Sequence, residues 1–185
     1  MGAVSAPAAE PPGWWKAFAE VPRLSASFLQ TSDSAVFGKL QRRGTLRLAK
    51  GGRLRVAYAD GLELVSDGVS LIQYDPDTRT AQAMAFQDAA ADTPLLRLLT
   101  DPGRLQGSYL IEAGGKDQVH LKPLKPGLPE VRIEGSGRLP RRLKWTDASG
   151  AGQVLELQNA AIPPKDFAAG TFTFQAPKGT RWLGK

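Results

Sequence analysis

The chain has 185 residues, 42% of them apolar, with 20 Gly and 14 Pro, which fits one domain with a buried core and excludes a disordered chain. It contains no cysteine and one histidine, which excludes disulfides, thiolate metal sites, cysteine nucleophiles and acylation of the chain itself. The formal net charge is +6, but the bases are scattered; without an aromatic–basic platform or a helix-turn-helix pattern, nucleic acid is not an expected partner.

Residues 1–12 are Ala/Pro-rich and read as a disordered leader or expression remnant, which leaves residues 13–185 as a single domain. No apolar run approaches the roughly 18 residues that a spanning helix needs. Residues 13–20 predict a short amphipathic helix with Trp14, Trp15 and Phe18 on one side, ended by Pro22. Strand patterns follow over residues 24–30, 37–48 and 53–58. In the third, Arg53 and Arg55 alternate with Leu54, Val56 and Tyr58. The paired bases Arg42-Arg43, like Arg141-Arg142 with Lys144, look like the solvent side of strands. Residues 62–65 and 69–74 flank Ser66-Asp67-Gly68, a strong hairpin signal. Asp75-Pro76-Asp77 turns the chain into a strand over 79–86.

The middle changes character. Residues 92–100 carry a capping residue, a proline in the first turn and leucines at helical intervals, which predicts a short helix with one strongly apolar face. Strands resume over residues 108–112, 118–122, 130–135, 141–146, 153–158 and 171–174. The expected fold is mainly β with some α: a sheet of about eleven or twelve mostly antiparallel strands, wet on one face and oily on the other. A sheet this wide must curl, split or close. Two short helices are too little to fill an oily concave face, so part of it is expected to remain as a pocket.

Catalytic patterns are weak. His120 sits mid-strand with no second histidine and no cysteine to complete a cluster, so a sheet-surface histidine is the better reading, and no metal is expected. Asp75 and Asp77 are better explained as turn formers than as an acid/base pair. Gly51-Gly52 and Gly115-Lys116-Asp117 are hairpin chemistry rather than phosphate loops. Ser66 lacks a nucleophile-elbow context. Neither an enzyme nor a cofactor is expected.

Five stretches, in order, resemble the outer-membrane lipoprotein carrier (LolA-type) family from about residue 24 to 180. Ala26-Ser27-Phe28-Leu29-Gln30 is similar to its first strand. Gly44-x-Leu46 followed by Gly52-Arg53-Leu54-Arg55-Val56-Ala57-Tyr58 resembles its second and third. Val65-Ser66-Asp67-Gly68-x-x-Leu71-x-x-Tyr74-Asp75-Pro76 is the most specific match. Thr93-Pro94-Leu95-Leu96 resembles the start of its internal helices, and Phe172-Thr173-Phe174-x-x-Pro177-x-Gly179 its closing strand and turn. The resemblance implies an incomplete, strongly curved antiparallel barrel with short helices plugging the concave apolar face. It also implies a periplasmic carrier. Its partners would be acylated lipoproteins, an inner-membrane ABC transporter of the lipoprotein-release type and possibly an outer-membrane acceptor, with the carrier itself a monomer. A lipid- or lipoprotein-sensing regulatory binding protein on the same fold is the alternative.

On that reading the acyl-chain cavity is lined by Leu46, Leu48, Leu54, Val56, Tyr58, Leu143, Trp145, Leu155, Leu157 and Phe174. Leu95, Leu96, Leu98 and Leu99 form a plug that covers it when empty. The sequence departs from the family at two places. Val56 stands where a Trp is usual. Ala49-Lys50-Gly51 stands where the family often has Lys-Arg-Pro, with an Arg that contacts the plug. Lys50 is the candidate for lid control, supplying the charge without the planar fork of donors.

Overall fold

Period-2 alternation of apolar and polar side chains drives about half of the chain into strands that share one buried face. The computed structural model describes residues 10–184, apart from the side chains of residues 91, 92 and 94. The order is α1 (Gly13–Ala19), β1 (Arg23–Ser34), β2 (Gly38–Ala49), β3 (Arg53–Tyr58), β4 (Glu63–Asp67), β5 (Ser70–Asp75), β6 (Thr80–Ala85), α2 (Phe86–Asp92), α3 (Pro94–Thr100), β7 (Tyr109–Gly115), β8 (Gln118–Pro123), β9 (Val131–Ser136), β10 (Leu139–Thr146), β11 (Gly152–Ala161) and β12 (Arg181–Leu183). The expectation for the leader falls on residues 1–9, which lie outside the described residues, and on residues 10–12, where Pro12 occupies the N-cap of α1.

The strands form one sheet in the order β12-β6-β5-β4-β3-β2-β1-β11-β10-β9-β8-β7. Every pairing is antiparallel except β12 with β6. Its edges, β12 and β7, are not paired with each other, so the barrel is incomplete. Two long connections follow from this order. The chain must pass from β6, beside one edge, to β7 at the other, and α2, α3 and a 3-10 turn (Pro102–Arg104) make that crossing over the concave face. Residues 162–180 carry the chain from β11 to β12 over the opposite, convex face.

Two local expectations are corrected. Residues 171–174 are not a strand but successive turns, with the Thr171 amide donating to the Ala168 carbonyl. Their alternating Thr and Phe reflect half-burial on the sheet surface, not ladder pairing; the closing strand is β12 instead. Phe86 begins helix α2 rather than ending β6, because a run of three alanines starts three residues later, at Ala89. Thr93 occupies the N-cap position of α3, without a side-chain cap hydrogen bond. The strand count, twelve, agrees with the eleven or twelve that the sequence pattern predicts.

Candidate functional site

Strand register decides which side chains share the concave face, since directly opposed residues project to the same side. Leu24–Leu48, Leu48–Leu54, Ala26–Leu46, Leu46–Val56 and Gly44–Tyr58 are opposed pairs in β1, β2 and β3. Across the other half, Phe28–Leu157, Leu155–Leu143, Leu143–Ile133 and Ile133–Val119 continue the same row. Nine of the ten residues expected to line the cavity stand on this face. Leu46, Leu48, Leu54, Leu143, Leu155 and Leu157 are buried in one apolar cluster, with Val56, Tyr58 and Trp145 partly buried against it. The row is longer than the sequence reading proposed: Leu24, Phe28, Val119, Leu121, Val131 and Ile133 belong to it. The alternation in Gln118-Val119-His120-Leu121 already carried that signal.

Phe174 is the exception. Its ring packs on Tyr74 at 5.6 Å and on Trp182 at 6.0 Å between centroids. Tyr74 opposes Glu63, and Glu63 shares its side with Ala57, one residue out of phase with the concave Val56 and Tyr58. Phe174 therefore lies on the convex face and is not part of the cavity. There the 162–180 connection is tied down by Arg23 Nε donating to the Pro163 carbonyl, Arg55 Nη1 donating to the Thr171 carbonyl, and Arg53 over the Phe172 ring. Val65 and Ala81 are buried beneath it.

Three helices fill the concave side. In α1, Trp14, Trp15 and Phe18 are all buried, and Trp14 Nε1 donates to the Asp117 carbonyl at 3.2 Å. Gly135 is its seat: a Cβ there would lie 2.5 Å from the Trp14 ring. In α2, Phe86 rests on Gly52, where the φ of +78° favours glycine and an added Cβ would lie 2.7 Å from the ring. In α3, Leu98 is buried at 2% exposure, while Leu95, Leu96 and Leu99 are partly buried. The crevice beneath Leu99 and Thr100 measures only 10 Å³, room for about one water at most and none for an acyl chain. The middle of the concave face is thus closed in this structure, because α2 and the 3-10 turn add cover that the sequence pattern did not reveal, while a cleft of 560 Å³ opens at its edge between Trp15 of α1 and Tyr109 and Ile111 of β7. A cleft of 450 Å³ remains at the rim, where Thr93 and Leu95 face Leu128, Pro129 and Trp145. A larger depression of 660 Å³ is lined mainly by polar and charged groups of the other face, among them Lys39, Glu130, Arg132 and Lys144, and does not suit an apolar guest.

One end of the concave face is polar. Tyr58 Oη donates to Gln30 Oε1 at 2.9 Å, and Gln30 Nε2 donates to Gln153 Oε1 at 3.3 Å. Gln153 Nε2 donates in turn to Ser32 Oγ at 2.7 Å and Asp147 Oδ2 at 2.8 Å. Arg42 joins this end instead of facing solvent with Arg43: it opposes Gln30, lies 4.2 Å over the Tyr58 ring and bonds Asp60 Oδ2. The hydrogen bond from Arg42 holds the Asp60 carboxyl below its ordinary range, and burial raises the Tyr58 phenol. Lys50 sits in the β2–β3 turn. Its ion pair, 4.0 Å long and exposed, is with Glu20 at the end of α1, not with α2 or α3.

The residues weighed for catalysis serve structure. Asp75 Oδ1 accepts the Asp77 amide at 2.8 Å, closing a turn. Ser66 is buried and its Oγ accepts the Gly68 amide. His120 pairs with Glu130 outside the concave face, and its hydrogen bond lowers the Glu130 pKa. Among the described residues no three His, Cys, Asp or Glu side chains gather as a metal site.

The family model for the outer membrane lipoprotein carrier protein LolA matches residues 19–182. An outer-membrane lipoprotein carrier protein of Pasteurella multocida is 29% identical over 163 residues, 84% of this chain and 78% of the relative. That of Bordetella pertussis is 30% identical over 172 residues, 87% of this chain and 80% of the relative. Among solved structures, a LolA superfamily protein from Nitrosomonas europaea superposes with a TM-score of 0.51 at 10% identity, covering 91% of this chain and 99% of that one. A conserved protein from Thermus thermophilus gives 0.53 at 11% identity, covering 89% and 91%. These two likenesses speak to the fold.

Proposed function

The chain belongs to the outer membrane lipoprotein carrier (LolA) family, and from that premise we propose that it carries lipoproteins by holding their acyl chains against the concave face. One observation supports this above all: an apolar row running across the sheet from β3 to β8 is covered by three separate seven-residue helices, not by a second sheet. A core built only for stability would be sealed by elements that hold themselves in place. Helices this short are marginal on their own, and neither α2 nor α3 has a side-chain N-cap hydrogen bond. Their structure depends on contact with the face they cover, so that cover is the part a guest can displace.

The energetics run in the same direction. Each methylene moved from a membrane into water costs about 0.8 kcal/mol, so an acylated protein crosses an aqueous space only with its chains hidden. When α3 lifts, the leucine contacts it loses are replaced by methylene contacts of similar kind. The 450 Å³ cleft between Leu95 and Trp145 is where exchange would begin. The donor is an inner-membrane ABC transporter of the lipoprotein-release type, the compartment is the periplasm, the destination is an outer-membrane acceptor, and the working unit is a monomer.

The test is to incubate the protein with inner-membrane vesicles carrying such a transporter, ATP and a labelled lipoprotein. A soluble one-to-one complex is expected. Failure to release lipoprotein removes the carrier reading, and lipid uptake without release leaves a sensing role in its place. Leu96→Glu should lower retention of cargo by about tenfold while shifting the unfolding free energy by less than about 1 kcal/mol, because Leu96 is only half-buried. Equal loss of both would make α3 ordinary core.

A further inference from the structure

The hairpin joining β1 and β2 runs well past β3, while β11 accompanies β1 as far as Asp33. The two strands pair along twelve positions, from Arg23–Ala49 to Ser34–Gly38. On the far side of β2, β3 pairs only with residues 44–49, with one further bond from the Ala59 amide to the Arg43 carbonyl. Gly38–Arg42 therefore runs past its neighbour. At the tip, Val36 is 80% exposed, Phe37 89% and Leu40 60%, the densest group of large exposed apolar side chains among the described residues. The turn is built: Ser34 Oγ accepts the amides of both Val36 and Phe37, and Gly38 adopts a φ of +70°. Water gains nothing from two bulky apolar side chains held outward on an ordered turn.

The charge around the tip narrows the partner. Residues 33–43 contain Lys39, Arg42 and Arg43 against one carboxylate, Asp33, which opposes Lys39 in the register. Arg42 is engaged with Asp60, which leaves Lys39 and Arg43 exposed behind the apolar tip. An apolar point with a basic collar matches the depth profile of an anionic bilayer, with methylenes beneath and negative headgroups above. Register also gives the tip a direction. Leu40 opposes Ser32 and Arg42 opposes Gln30, so Leu40 lies in phase with Gly44 and Leu46 on the concave face. We propose that the β1–β2 tip is a membrane-docking finger, in which Val36, Phe37 and Leu40 enter the interface of an anionic phospholipid bilayer while Lys39 and Arg43 bind its headgroups. Docked this way, the concave face opens toward the lipid surface along the line from Leu40 to Tyr58. This goes beyond the carrier reading, and its failure is separable from that reading because the cavity can be probed without a membrane.

The experiment is co-sedimentation of the full chain with vesicles of phosphatidylcholine alone or mixed equally with phosphatidylglycerol. Binding to the mixed vesicles is expected, weakened by salt. Replacing Val36 and Phe37 together by Ser, or Lys39 and Arg43 together by Glu, should reduce it by about tenfold. Both variants should keep the parent's unfolding midpoint and its uptake of a fluorescent fatty acid in solution. A Phe37→Trp variant should be quenched by lipids brominated near the headgroup more strongly than the parent. Equal vesicle binding by parent and tip variants, absence of that quenching, or a parent dimer lost on Phe37→Ser would each overturn the proposal, the last by making the tip a contact between copies.

Discussion

Helices α1 and α3 have the same length, seven residues, and neither has a side-chain N-cap, yet they are fastened differently. Helix α1 buries three aromatic side chains to between 3% and 6% exposure, sets Trp14 flat on Gly135 and spends its indole N–H on a carbonyl of the β7–β8 turn. Helix α3 offers four leucines, of which only Leu98 is fully buried. Its polar links, Arg97 to Gln87 and Thr100 to Leu96, stay within α2 and α3. On the proposed function, aromatic anchors in a fitted seat would stay in the core, whereas leucines, flexible and without directional bonds, would form the cover that other hydrocarbon replaces.

The contrast is broken most directly at Trp14. Trp14→Ala should cost about 3–5 kcal/mol in urea unfolding and should not raise uptake of a fluorescent fatty acid by the folded fraction. An increase in uptake would mean that α1 is also a lid. Leu98→Ala should cost less, about 2–3 kcal/mol, and should raise uptake, because it removes the one leucine that anchors α3. Unchanged uptake would show that α3 stays shut for another reason. Phe174→Ala probes the convex face. It should cost about 1–2 kcal/mol, since the ring is only half-buried, and leave uptake unaltered in the same assay.

The smallest effect concerns Tyr109, which is 2% exposed and whose hydroxyl has no hydrogen-bond partner among the described residues. Burial pushes its phenol up to about 12. A folded-state pKa above the unfolded one means that stability is intact below about pH 10 and falls as pH rises toward the folded value. Tyr109→Phe should therefore be neutral or stabilising by up to about 1 kcal/mol at pH 7. Its advantage over the parent should widen above pH 10 in matched thermal melts. A marked loss at pH 7 would reveal a bond that the hydroxyl makes.

Much of the fold was legible because alternation is a local property. Once Leu54, Val56 and Tyr58 are set on one side, steric geometry sends Arg53 and Arg55 to the other, with no need to know what the strands pair with. The same parity placed Leu46, Leu48, Leu143, Trp145, Leu155 and Leu157 on the concave side. It failed at Phe174, where alternation without ladder pairing mimics a strand, and reading Arg42 as solvent-facing beside Arg43 went against it. Arg42 follows the concave parity, but it lies beyond the reach of the core, and stacking on Tyr58 with Asp60 alongside satisfies its charge.

From the residues alone came the strand-rich class, the apolar face, the leucine helix and the family. Only the tertiary structure decided which connection covers which face, that α1 is seated and α3 only leans, and that the middle of the cavity is closed. The physical reason is range. Side-chain parity is set over two residues, whereas the path of a connection depends on where β6 and β7 lie at opposite ends of a curved sheet, a relation formed by contacts spread across the whole chain.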